Sequence, residues 1–321
     1  MIRSIRLRHL PAAGFALCGA SLAHAHTGAA TTAAWAPSWN FELGVSLPLL
    51  ISALLYAAGH RRLLQRARSS RAILKRQAVA FAAGWIALVA ALLSPLDALG
   101  GALFSAHMVQ HELMMIVAAP LLVIGRPLLT MLWAFPARGR TLIGKAMRSG
   151  GVRGTWRFIT RASVAWVLHA AALWLWHAPR LFEAALAHPA IHALQHASFL
   201  GSALLFWWTI FGAHSRNLNG NGNGSGNGSN GGAAMLSLFT TMAHTGALGA
   251  LLTLAPALWY PSYIESATAW GFDPLQDQQL GGLVMWVPGG LAYLVGGLVV
   301  AAQRLLQRDG RPLVPGAGAG P

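Results

Sequence analysis

Seven stretches of this chain are apolar for long enough, or nearly so, to form membrane-crossing helices: 41–59, 77–94, 103–125, 162–177, 190–213, 233–257 and 281–302. About 20 apolar residues carry a helix across the hydrocarbon core. The fourth stretch is short, and its Trp166, Trp174 and Trp176 are rings of the kind that mark bilayer interfaces or bundle cores. The polar residues between the stretches alternate in character. Nineteen Lys and Arg lie after the first, third and fifth stretches and in the tail, against Arg180 alone in the other connections. Basic residues stay on the cytoplasmic side, so the mature amino terminus is expected outside and the carboxy terminus inside. Acidic residues fall the other way: Glu42, Asp97, Glu112, Glu183, Glu265, Asp273 and Asp277 lie toward the outer side and Asp309 inside. The pattern predicts an all-α, polytopic membrane bundle of about seven transmembrane helices.

The ends and connections complete this division. Residues 1–25 read as a cleavable signal peptide, with Arg3, Arg6 and Arg8 before the apolar run Leu10–Leu22 and an Ala23-His24-Ala25 cleavage site. A short external segment, 26–40, precedes the membrane domain, 41–304, and a cytoplasmic tail, 305–321, follows it. Within the domain, 217–232 is a Gly/Asn-rich stretch expected to be a flexible cytoplasmic loop. The outer connection 258–280 carries Trp259, Tyr260, Tyr263, Trp270 and Phe272, enough aromatic surface for a lid over the outer face or for an interfacial belt.

Composition sharpens the picture. Of 321 residues 55% are hydrophobic and 10% charged, with a mean hydropathy of +0.51, where soluble domains carry about 25% charged residues. The net charge of +15 belongs to topology, helped by anionic lipid, and its placement argues against nucleic acid. Cys18 is the sole cysteine and falls in the signal peptide, so thiolate sites are excluded from the mature chain and any metal must rely on His, Met, carboxylate or the amino terminus. Residues Gly139–Ala146 imitate a phosphate loop but put Ala146 where a hydroxyl should hold magnesium. His111-Glu112 opens a zinc-protease motif whose second histidine is missing. No enzyme is indicated.

The third stretch holds the informative chemistry. Its outer third carries His107, Met108, Gln110, His111 and Glu112, polar groups that are costly inside a membrane and are usually turned into a bundle for a purpose. His107 and His111 stand one helical turn apart on one face, about 6 Å apart at Cβ. The fifth stretch repeats the pattern H-x-x-Q-H with His192, Gln195 and His196, and each copy follows a corner, Ser94-Pro95-Leu96-Asp97 or His177-Ala178-Pro179-Arg180. A repeated helical hairpin of one orientation is implied. His107, His111, His177, His192 and His196 should share one depth near the outer surface, while His169 and His244 lie deeper. Histidine with methionine suits copper in either oxidation state. Asp97 and Glu112 are candidates for ligands, partners of imidazole or proton acceptors. Gln110 and Gln195 suit interhelical hydrogen bonds, as do His60, His169 and His214.

Three runs, HMVQHELMMIVAAPLLVIGRP, WLWHAP followed by HALQHASFL, and DQQLGGLVMWVPGG, resemble the multispanning assembly factors of caa3-type cytochrome c oxidase. The resemblance covers about Phe41 to Arg304. It implies a role in maturing a haem–copper oxidase in the bacterial plasma membrane, with oxidase subunits and other copper-handling proteins as partners. It carries His107, His111, His177, His192 and His196 over as functional positions, with Asp277 and Met285 from the third run. Copper bound transiently at an outer His/Met cluster, supported by Asp97, Met108, Glu112 and His244, is the expected chemistry. A b-type haem electron carrier with axial histidines and a copper transporter using His169 and His244 are the alternatives.

Overall fold

A computed structural model describes residues 39–67, 69–212 and 229–309. The signal-peptide reading of 1–25, His214, most of the Gly/Asn-rich stretch and the end of the tail lie outside them. Among the described residues there are helices and no strands. Helices α1 (Leu43–Arg66) and α2 (Arg71–Leu92) form an antiparallel pair. A short α3 (Pro95–Ala102) follows, started by Pro95 in the first turn, with the Ser94 side chain accepting from the Leu96 amide. Then comes α4, Phe104–Gly125, which widens to a π-helix over Leu113–Ala118. Arg126, at φ 50°, ends it. Short helices α5 (Pro127–Leu132), α6 (Ala137–Arg148) and α7 (Gly150–Ile159) make the basic connection.

The second half repeats this plan. Helix α8 (Ala162–Trp176) rises, α9 (Pro179–Ala187) is short and opens on a proline, and α10 (Pro189–Trp207) descends into a π turn at Trp208–Gly212. Helices α11 (Ser229–Thr253) and α13 (Pro274–Asp309) form the last pair, joined by an outer connection holding α12 (Ile264–Ala269). The last residues of the Gly/Asn-rich stretch, Ser229–Gly232, belong to α11. Gly231, a poor helix former, lies in that helix against the Arg304 guanidinium of α13.

Among the described residues five helices are long and apolar enough to cross a membrane: α1, α2, α4, α11 and α13. The fourth predicted stretch forms α8, only 15 residues long, which reaches spanning length only together with α7 across a 67° bend. The fifth forms α10, which has the length of a span, but His192, Gln195 and His196 dilute its apolar character.

Helices α11 and α13 meet at their glycines. A Cβ on Gly282 would lie 2.6 Å from the Thr253 nitrogen and 2.7 Å from the Gly249 carbonyl oxygen. Of the paired glycines of α13, Gly282 thus packs on α11, Gly289 faces Glu112, and Gly296 faces Trp207, all within this chain. Gly282→Val must push these helices apart. It is expected to lower stability by about 3 kcal/mol, read as a lower melting temperature in detergent.

Candidate metal centre

Five imidazoles converge between α4, the end of α8 and α10. His107 and His111 project from α4, with ring centroids 4.3 Å apart; His192 and His196 project from α10, 4.2 Å apart. Across the gap His107 lies 5.4 Å from His192 and 5.9 Å from His196, and His111 lies 5.2 Å from His196. His177, just past α8, closes the far side at 6.4 Å from His111. One ring nitrogen from each of His107, His192 and His196 can be chosen so that all three lie within 4.8 Å of one another, the spacing of a metal-binding triad. The two helical hairpins bring these residues together because each H-x-x-Q-H pair sits one turn apart on a helix that leaves a proline-started corner.

Hydrogen bonding orients the rings. Nδ1 of His107 lies 3.3 Å from the Gly100 carbonyl and Nδ1 of His177 lies 2.6 Å from the Leu173 carbonyl. A carbonyl only accepts, so both Nδ1 atoms carry the proton and both Nε2 atoms keep a lone pair. A backbone carbonyl behind the ring is how ligating histidines are commonly held. The Nε2 atoms of His107, His111, His177, His192 and His196 are all buried without a hydrogen-bond partner. So many unpaired buried polar nitrogens in one place are costly unless a cation or water occupies the space between them.

The surroundings are aromatic. Phe199 lies tilted 4.6 Å from His111, and Phe182 of α9 lies 5.2 Å from His107. The outer connection covers the centre: Tyr260 and Phe104 bracket Phe182, the Tyr260 hydroxyl donates to the His177 carbonyl at 2.8 Å, and that of Tyr263 donates to Gly100 at 2.9 Å. Of the two readings of this connection, the lid describes it better. Ser262 fastens it to Glu183 through both its amide and its hydroxyl. Burial, then the negative charge of Glu183, pushes the Tyr260 hydroxyl above its usual range; burial, then Asp277, does the same for Tyr263. Both therefore stay protonated and able to donate.

The remaining candidates stand elsewhere. Asp277 caps α4: its carboxylate accepts from the Phe104 amide at 2.6 Å, from the Ser105 amide at 3.3 Å and from the Ser105 hydroxyl. Met108 and Met285 pack with Phe104, Phe182 and Tyr260 in an apolar cluster. Met108 follows His107 by one residue and so lies about 100° round the helix. Asp97 accepts from Gln110 at 2.8 Å and Asn40 at 3.0 Å. Glu112 points to α13, where a Cβ on Gly289 would lie 3.3 Å from its Oε2. His244 lies against Trp166, 5.6 Å away. His169 is satisfied by Ser202 at 3.1 Å and Tyr293 at 3.3 Å. Gln110 makes its interhelical bonds, to Asp97 and the Ala91 carbonyl, whereas Gln195 is fully buried with neither amide atom bonded. Asp277→Ala is expected to cost about 2 kcal/mol as a lost charged cap while leaving the folded protein's metal stoichiometry unchanged.

Sequence pattern missed what is made by backbone and by tertiary approach. The carbonyls of Gly100 and Leu173 have no side-chain signature. Phe182 and Phe199 read as ordinary apolar residues.

A membrane bundle that encloses a polyhistidine chamber is the class that fold and site define. The chain belongs to the cytochrome c oxidase caa3 assembly factor family, whose model matches residues 54–307. It is also 27% identical over 258 residues to an uncharacterised protein of Mycobacterium bovis and to one of Mycobacterium tuberculosis, covering 77% of this chain and 36% of each relative. The chain thus spans about a third of the length of these curated relatives. No solved structure matches.

Proposed function

We propose that this protein assists assembly of a caa3-type haem–copper oxidase by holding copper in the histidine chamber and releasing it to an oxidase subunit. The family supports the assembly role. The observation that carries the copper reading is the convergence of five buried Nε2 atoms without a hydrogen-bond partner. Imidazole donors suit copper, and a site without thiolates can exchange its cargo. His107, His192 and His196 would hold the ion, with His111 and His177 as the inner wall. The reading requires no catalysis by the chain.

Seven crossings complete the proposal, α10 and the bent α7–α8 pair being counted with the five apolar helices. The mature amino terminus then lies outside, the basic connections face the cytoplasm, and the chamber opens toward the outer face of a bacterial plasma membrane.

The test is bound copper per protein after loading with Cu(I), for the wild type and for His111→Ala/His196→Ala, together with oxidase copper content in cells carrying each. Loss of copper from a still-folded variant, with copper-poor oxidase, is the expected result. Equal copper in both removes the proposal, and a Soret band in the purified protein would favour the haem-carrier reading instead.

A further inference from the structure

At the ends of α4 and α8 away from the chamber, three arginines converge on the turn between α5 and α6. The Arg66 guanidinium lies 5.5 Å from the centre of the Trp133 ring, and that of Arg140 lies 4.4 Å from it. Arg62 donates to the Trp133 and Ala134 carbonyls at 3.3 and 2.6 Å, and Arg140 to the Phe135 carbonyl at 3.0 Å. The ring and the carbonyls gather these cations without neutralising them. No Asp or Glu occurs in 43–96 or 113–182, the segments that contain α1, α2 and α5 to α8. Arg62 and Arg66 are exposed. Guanidinium forks with no carboxylate to pair are matched to the oxygens of a phosphate group.

The apolar surface beside the cluster says which kind of phosphate. Arg62 and Arg66 stand in the last two turns of a membrane-crossing helix, the level at which basic side chains meet headgroups. Next to them α6 presents Leu142, 70% exposed, on one face with Arg138 and Lys145. Helix α7 buries none of its residues and exposes Val152 and Phe158 beside Arg153 and Arg157. At 15 residues, α8 rises about 22 Å, short of a hydrocarbon core of about 30 Å. Its inner end is therefore drawn to the bilayer, and α7, bent 67° away, lies along the surface as an interfacial helix does. A soluble phosphate would leave Leu142, Val152 and Phe158 in water. A phospholipid offers an anion to the arginines and acyl chains to the apolar residues.

We propose that the basic connection between α4 and α8 is a binding site for anionic phospholipid. The headgroup phosphate is held by Arg62, Arg66 and Arg140 around Trp133, and α7 lies in the headgroup layer. The site stands apart from the metal chamber and does not depend on the copper reading. By neutralising the cluster, the lipid ties the inner end of α1 to the connection that joins α4 to α8.

The experiment uses the full chain in mixed micelles of detergent with equal phosphatidylglycerol and phosphatidylcholine, and counts bound lipids by native mass spectrometry. The wild type is expected to retain phosphatidylglycerol over phosphatidylcholine by about 10-fold or more. Phosphatidylglycerol should raise the melting temperature, and inorganic phosphate at the same concentration should not. In Arg66→Gln/Arg140→Gln the preference is expected to fall to about 2-fold or less. Arg153→Gln/Arg157→Gln, on a helix with no buried residue, should lower it in part, and this second variant decides if the first does not fold. Equal retention of the two lipids by the wild type overturns the inference, as does an unchanged preference in both folded variants. The same rise in melting temperature with inorganic phosphate alone would assign the arginines to a soluble anion and overturn the lipid site.

Discussion

Alanine at His107 or at His196 should weaken Cu(I) binding by about 100-fold or more, beyond the 10–100-fold typical of losing a group that merely orients a ligand. These two residues, with His192, supply the nitrogens that lie within 4.8 Å of one another, so either change leaves two of three donors. The fold should survive the change at His107. The Gly100 carbonyl behind its ring keeps the Tyr263 hydroxyl as a donor, and no buried acceptor is left bare. The control is His169→Ala, in the same membrane domain. Its ring bonds Ser202 and Tyr293 and faces no other unpaired imidazole of the chamber, so it should reduce stability and leave copper affinity within about 3-fold, a change of under 1 kcal/mol. Chelator competition on the purified proteins reads both. Wild-type affinity in His196→Ala would show that the triad is not the site.

The chamber was legible in the sequence to the extent that it depends on helical period. His107 with His111, and His192 with His196, are one turn apart, and the proline corners before them announce two copies of one hairpin. That the pairs face each other across the bundle follows from packing two such hairpins side by side. The neighbouring candidates show where this reasoning stops. Asp277 lies 173 positions from Phe104 along the chain, and its task as the cap of α4 exists only because the start of α13 reaches the start of α4. Met108 of α4 and Met285 of α13 have metal-binding side chains, but they meet where the two helices pack, among aromatic rings. Residue chemistry alone does not say which of its neighbours a side chain will meet. The span count was legible for the five most apolar helices and less so for α8 and α10. Those two form walls of the chamber, and polar residues that make a site also dilute the hydropathy that marks a span.

Trp207→Phe should destabilise the protein by about 1–3 kcal/mol, and Trp207→Ala by about 3–5 kcal/mol, through a backbone carbonyl on another helix. In the π stretch of α4 each amide bonds the carbonyl five residues back, as Ala119 does with Met114. The next carbonyl, that of Met115, would be served by residue 120, which is a proline and has no N–H to give. The Trp207 indole N–H, arriving from α10, takes its place at 2.9 Å. Within a membrane no water stands ready to replace that donor, so its loss leaves an unsatisfied buried acceptor. Phenylalanine keeps most of the ring packing against Phe211 and Tyr293 and isolates the hydrogen bond; alanine removes both. Pro120→Ala should reverse much of the Trp207→Phe effect, because an alanine at 120 restores an amide donor one turn below Met115. Melting temperatures of the four proteins in one detergent complete the cycle. Additive losses would mean that the indole matters only for its packing. Rescue by Pro120→Ala would show that α10 completes the hydrogen bonding of α4 directly below the histidines that both helices contribute.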